Sequence, residues 1–151
     1  MVAPAGWRRA ALRNGAVLAY PAGWRRIKSD RGTVSAALLD AHGRFLAYLN
    51  LTPRQGRETL ANWPAFRVAH NREEGEAHVV TQGAARGLRF RDGRGTCVRD
   101  AYATSSGAAF VELACLVAGA RAQSVIVAAA PPGQWEREGA TLRRAVGALR
   151  T

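Results

Sequence analysis

The chain holds two cysteines, Cys97 and Cys115, and their placement restricts the fold more than any other feature. Between them Ser105-Ser106-Gly107 supplies turn chemistry, and Ser106 lies nine residues from each cysteine. If Thr96–Thr104 and Ala108–Val117 are strands joined by that turn, the cysteines face each other across an antiparallel ladder. Cross-strand neighbours have Cβ atoms about 4.5–5.5 Å apart, a gap that a disulfide closes with small adjustment. The same register sets Tyr102 opposite Phe110, a favourable aromatic pair. It also sets Asp100 opposite Glu112, which is unfavourable when both are charged. A one-residue bulge near the turn, or an arginine such as Arg99, would relieve that clash. The alternative is a pair of buried free cysteines, a common use in cytosolic cores. Symmetry about a turn favours the disulfide, Cys97–Cys115. Zinc is a poor fit, because two cysteines 18 apart and His42, His70 and His78 have no ligand spacing.

The rest of the chain is punctuated in the same manner. Val17–Tyr20 is a short apolar run stopped by Pro21 and Gly23, and Arg25–Lys28 resumes after the turn. Thr33–Leu39 reads as a strand, Asp40-Ala41-His42-Gly43 as a turn, and Phe45–Leu51 as the hairpin partner. Thr52-Pro53-Arg54-Gln55 has the chemistry of a helix start, with Thr52 as cap and Gln55 completing a capping box. Leu60, Trp63, Phe66 and His70 follow at helical spacing, with Pro64 expected to kink or divide the helix before it ends short of Gly75. Ala77–Gln82 and Gly87–Arg91 read as strands, Asp92-Gly93-Arg94-Gly95 as a turn. Phe110–Val117 and Ser124–Ala130 are apolar enough for central strands. After Pro131-Pro132-Gly133 a closing helix is expected over roughly Gln134–Arg150. Trp135, Leu142, Val146 and Leu149 make its apolar stripe, with Glu136 and Glu138 in its first turns and Arg150 in its last. Two helices and about six or seven hairpin-linked strands define an α+β fold, an antiparallel β-sheet covered by helices. Residues 16–151 suffice for the single domain, with 1–15 as an N-terminal segment.

A net charge of +11 invites a polyanionic partner such as nucleic acid. Against that, Lys28 is the only lysine among the 22 basic residues, and the arginines are scattered without a cluster of five. Enrichment in arginine, alanine and glycine is also what a GC-rich genome produces without selection for a ligand. Weak, salt-sensitive sticking to nucleic acid is expected in either case. No apolar run reaches the roughly 18 residues of a bilayer span, and Glu112 interrupts the best candidate, Ala108–Ala118.

Catalytic signatures are scarce. Asp92-Gly93-Arg94-Gly95-Thr96 lacks the Gly-Lys-Ser/Thr ending of a phosphate loop and precedes a strand. No Gly-x-Ser-x-Gly elbow is present, and a paired cysteine cannot act as a nucleophile. Asp100 and Glu112 are the one carboxylate pair whose adjacency would allow acid/base work. The competing reading makes them a buried polar pair satisfied by arginine. Trp7, Trp24, Trp63 and Trp135 all sit at element junctions. There tryptophan more often locks packing than binds a partner, so Trp24, Trp63 and Trp135 are expected to be structural anchors. Pro-Ala-Gly-Trp-Arg-Arg occurs twice, at Pro4–Arg9 and Pro21–Arg26. Two copies are too few for a solenoid, and each reads as a turn with a tryptophan anchor.

Assembled, the pattern resembles the PsbP-like (DcrB-like) family of α/β/α sandwiches, first described in an extrinsic photosystem subunit and found also in bacterial envelope proteins. Three stretches carry the resemblance: Val17-Leu18-Ala19-Tyr20-Pro21-Ala22-Gly23-Trp24, the Asn50-Leu51-Thr52-Pro53 junction, and the amphipathic helix from Trp135. The paired cysteines resemble those of exported actinobacterial members. The resemblance implies no common catalytic residues, no cofactor and no metal. It implies a non-catalytic cell-envelope or secreted module that binds a protein partner or assists assembly. A basic polyanion-binding protein is the alternative, and a small enzyme using Asp100 and Glu112 the second. A disulfide calls for an oxidising compartment, whereas Met1-Val2-Ala3-Pro4 opens no export signal. The expectation is therefore extracytoplasmic if a signal lies outside this sequence, and cytoplasmic if Met1 is the native start.

Overall fold

The computed structural model describes residues 1–151. Two strands near the N-terminus, β1 (Arg8–Ala11) and β2 (Val17–Tyr20), pair antiparallel. The main sheet comprises β3 (Arg25–Ile27), β4 (Val34–Leu39), β5 (Phe45–Pro53), β6 (Ala77–Phe90), β7 (Gly93–Ala103), β8 (Ala109–Gly119) and β9 (Gln123–Ala130). Its order is β3-β4-β5-β9-β8-β7-β6, with every neighbouring pair antiparallel. Helix α1 (Trp63–Glu73) lies on one face against β6, β7 and β8. Helix α2 (Pro132–Gly147) lies on the other, against β5, β8 and β9 and beside β2. The result is an α/β/α sandwich.

Strand alternation sorts the core into two clusters. On β8, Val111, Cys115 and Val117 point into the larger one, with Leu49 and Leu51 of β5, Ile126 of β9, and Trp135, Leu142, Val146 and Leu149 of the α2 region. Ala114 and Leu116 point the opposite way, into a smaller cluster with Trp63, Val98, Val125 and Val127. Segment 1–15 belongs to this packing: Ala10 and Leu12 are buried in the larger cluster, and Trp7 packs against it. Both Pro-Ala-Gly-Trp copies form turns, closed by hydrogen bonds from the Trp7 amide to the Pro4 carbonyl (3.4 Å) and from the Trp24 amide to the Pro21 carbonyl (3.0 Å). Each turn feeds a strand, and Trp24 is buried where Trp7 is partly so.

Several boundaries differ from the sequence expectations. Thr52-Pro53 ends β5 and does not start a helix, because pairing with Val125 and Ser124 of β9 carries the ladder to Pro53. Helix α1 begins ten residues later, after Asn62, and Pro64 lies in its first turn. There the missing N–H costs nothing, so the proline starts the helix and makes no kink. Ala77–Gln82 and Gly87–Arg91 merge into the single strand β6, which absorbs register shifts at Ala77/Val80, Thr81/Gly83 and Ala85/Leu88. The turn to β7 is Arg91-Asp92, and Gly93 and Gly95 belong to the strand. A Cβ on Gly95 would stand 2.6 Å from the Phe90 ring, so glycine there is a matter of space. Helix α2 ends at Gly147, which places Arg150 beyond it. Arg150 bridges to Val17 through the backbone, and Arg144 is the basic residue of the last turn.

The β7–β8 hairpin pairs Ala103 with Ala109 through Gly93 with Gly119 without a register shift. Gly107 makes its turn at φ +83°, a left-handed conformation that disfavours other residues. Cys97 stands opposite Cys115 with Cα atoms 4.0 Å apart, and the two form a disulfide. Closing a loop of 18 residues restricts the unfolded chain by about 3 kcal/mol in the chain-entropy picture. Reduction is therefore expected to lower the melting temperature by about 6–12 °C for a chain of this size, read from thermal melts with and without a phosphine reductant.

Candidate functional site

Neither helix spans the seven-stranded sheet, and each leaves a groove beside it. On the first face, α1 covers the β6–β7–β8 side, and the floor over β5 and β9 stays open. The side chains of β5 that point there are Tyr48, Asn50 and Thr52, so the floor is polar where the opposite face of the same strand carries Leu49 and Leu51. The resulting groove has a volume of about 440 Å³.

At the α1 wall of the groove lies a buried polar network. Glu112 stands opposite Asp100 in the β7–β8 register, and no bulge separates them. Relief of the clash comes from α1 and not from Arg99. The Arg67 guanidinium donates from Nε to Glu112 Oε1 (2.7 Å) and from Nη2 to Oε2 (2.8 Å). Asn71 Nδ2 donates to Oε1 at 3.4 Å, and the Tyr102 hydroxyl to Oε2 at 3.3 Å. Burial works against the Arg67 charge, but the Glu112 carboxylate more than offsets it and holds the guanidinium pKa up. Burial raises the Tyr102 phenol pKa too, and the adjacent Glu112 adds to it. Asp100 accepts from the Thr81 hydroxyl at 2.8 Å, and its second oxygen has no partner. Burial raises the Asp100 pKa, the Thr81 hydrogen bond opposes that rise, and the Glu112 charge adds to it. Glu76 is raised by burial, then by Glu112 and Glu74.

Arg99 points to the opposite face, with its guanidinium carbon 5.4 Å from the centroid of the Trp135 ring. Trp63 is 1% exposed and its indole N–H donates to the Ala114 carbonyl at 2.9 Å. Its ring begins a stack down α1, 6.1 Å to Phe66 and 6.4 Å from Phe66 to His70. At the far end the groove meets an apolar patch formed by Phe45, Tyr48, Tyr102 and Phe110. Phe45 packs edge-on to Tyr48, and Tyr102 stacks on Phe110 at 6.3 Å.

Both Glu112 oxygens are occupied by one guanidinium, and Asp100 and Glu112 are 0% and 2% exposed, so neither meets a bulk substrate as acid or base. What the groove does present is a sign of charge opposite to the chain as a whole. Asp30, Glu74 and Glu76 line it with His70, while the Arg67–Glu112 pair in its wall neutralises itself. Arg67 and Asn71 were not singled out by sequence reading, although Trp63, Arg67 and Asn71 fall at i, i+4 and i+8 on one helix face.

Two layers of helix on an antiparallel sheet, with the β1–β2 pair beside α2, define a PsbP-like fold. The solution structure of cyanobacterial PsbP (CyanoP) from Synechocystis sp. PCC 6803 matches it with a TM-score of 0.70 at 11% identity, over 99% of this chain and 95% of that one. A crystal structure of protein PA94 of unknown function from Pseudomonas aeruginosa, described as a putative regulator, matches at a TM-score of 0.54 and 10% identity, over 96% of each chain. No family model and no curated protein matches the sequence. No helix is long and apolar enough to cross a membrane.

Proposed function

We propose that the protein is a non-catalytic PsbP-like module of the cell envelope or the secreted fraction that docks on a protein partner through the groove beside α1. The observation that carries this reading is the groove's acidic wall in a chain of net charge +11. Electrostatic complementarity selects and orients partners, and an acidic groove selects a basic segment. The patch of Phe45, Tyr48, Tyr102 and Phe110 supplies the apolar anchor such an interface needs. The Cys97–Cys115 disulfide supports an oxidising compartment. The polyanion reading draws less support, because the arginines come from β1, β3, β6, β7, both helices and several loops.

Site-specific photocrosslinking in the native host tests the docking surface. A photoreactive residue at Tyr48 is expected to give one dominant protein adduct, a probe at Arg137 on α2 none, and Glu74→Lys should suppress the Tyr48 adduct. Equal labelling from both probes, or no adduct from Tyr48, would overturn the proposal. Two free thiols in protein isolated from that host would overturn the extracytoplasmic assignment.

A further inference from the structure

The opposite face carries the counterpart groove. There α2 covers β5, β9 and β8 and stops short of β6 and β7. The uncovered strip is a cleft of about 440 Å³ whose floor is apolar, made by Leu88, Phe90, Leu113 and Val146. The charged side chains that face it are Arg99 and Arg143, and no acid lines it; Arg89 borders it through its backbone alone, since alternation along β6 turns its side chain away from Leu88 and Phe90. Neither Arg99 nor Arg143 makes an ion pair or a side-chain hydrogen bond within the chain. Both are held in place. Arg99 lies over the Trp135 ring, and Arg143 folds back across α2 where Gly139 leaves room, 3.2 Å from the Cβ position of that glycine. Arg99 of β7 and Arg143 of α2 therefore line the cleft with their guanidinium groups fixed beside it.

We propose that this cleft is a binding site for a long-chain carboxylate, with the alkyl chain on the apolar floor and the carboxylate held by the arginines. The volume falls in the range of small-molecule sites, and a mostly apolar cleft with a few convergent polar groups is their common form. Guanidinium groups match a carboxylate with paired, charge-assisted hydrogen bonds, and these two have no competing partner. The floor offers an alkyl chain no polar obstacle: the buried polar atoms that lack partners belong to Glu58, Glu76, Asp100 and Thr151, none of which lines the cleft. A bilayer surface is a poorer match. Leu88, Phe90 and Leu113 are half-buried in the floor, and the large apolar side chains that protrude, Met1, Val2, Phe45 and Val80, lie outside it.

Titration calorimetry with dodecanoate, kept below its micellar concentration, tests the proposal alongside amide shift mapping. Dodecanoate is expected to bind at least tenfold more tightly than 1-dodecanol and to shift amides of Leu88, Leu113 and Val146. Arg143→Glu, at an exposed position, should weaken binding tenfold or more while leaving the melting temperature unchanged, whereas Arg89→Glu, whose side chain lies on the other face of the sheet, should change affinity less than twofold. Arg143→Gln should fall between Arg143→Glu and the unaltered protein. Equal affinity for the alcohol, insensitivity to Arg143→Glu, or shifts confined to the groove beside α1 would overturn the proposal. So would binding to phosphatidylglycerol vesicles or to an acidic peptide without binding to dodecanoate.

Discussion

Replacing Arg67 by alanine is expected to destabilise the protein by about 3–5 kcal/mol, because it strands a carboxylate in the interior. Glu112 is 2% exposed and takes two of its hydrogen bonds from that one guanidinium. The remaining donors, Asn71 at 3.4 Å and Tyr102 at 3.3 Å, are neutral and longer, so they cannot balance the charge. Asp100 lies directly opposite with an oxygen already lacking a partner, which leaves the site no spare donor. Against a total stability of about 5–15 kcal/mol, such a loss brings the chain close to unfolding at moderate temperature. The partner substitution separates charge from packing: with Glu112→Leu added to Arg67→Met, stability should return to within about 1 kcal/mol of the starting protein, since apolar replacements of buried ion pairs are often neutral or better. Urea titration of the three proteins checks this. A loss below about 1 kcal/mol in Arg67→Ala would mean that water reaches Glu112 and that the pair is in effect a surface one.

That prediction also shows what the sequence could reveal. The β7–β8 hairpin was legible because its evidence is local: turn residues at 105–107 and two cysteines at equal distances fix a register that every intervening pair must obey. The register in turn brings Asp100 against Glu112. What resolves their repulsion is not local. Arg67 lies 45 residues before Glu112, and nothing in the hairpin names it. The start of α1 was misplaced for a related reason. Thr52-Pro53-Arg54-Gln55 has the composition of a helix cap, but the ladder with β9 outweighs that local preference. At Pro64 a single rule gave two answers, since proline breaks a helix interior and suits its first turn, and only the true starting point decides between them. The grooves were the least legible part. They exist because α1 and α2 cover opposite ends of the two sheet faces, a property of topology that residue spacing does not carry.

Trp63→Ala should cost about 3–5 kcal/mol, the usual range for emptying a buried aromatic site, with part of the cost falling on the position of α1 itself. Trp63 is the first residue of the helix, 1% exposed, at the centre of the smaller core cluster with Val98, Ala114, Leu116, Val125 and Val127. Its indole N–H ties the helix start to the Ala114 carbonyl of β8, and its ring carries the stack through Phe66 to His70. Trp63→Phe keeps much of the apolar contact and gives up the hydrogen bond, so it should lose less than half as much as alanine. The anchor and the ion pair are one helical turn apart on the same face, which makes them coupled. If α1 shifts when Trp63 is lost, Arg67 no longer meets Glu112 with both nitrogens, and part of the Arg67→Ala cost is already spent. The double variant Trp63→Ala/Arg67→Ala is therefore expected to fall short of additivity by about 1–2 kcal/mol in a denaturation cycle. Strict additivity would show that Arg67 finds Glu112 without help from Trp63, and that the polar wall of the groove holds its shape independently of the aromatic anchor.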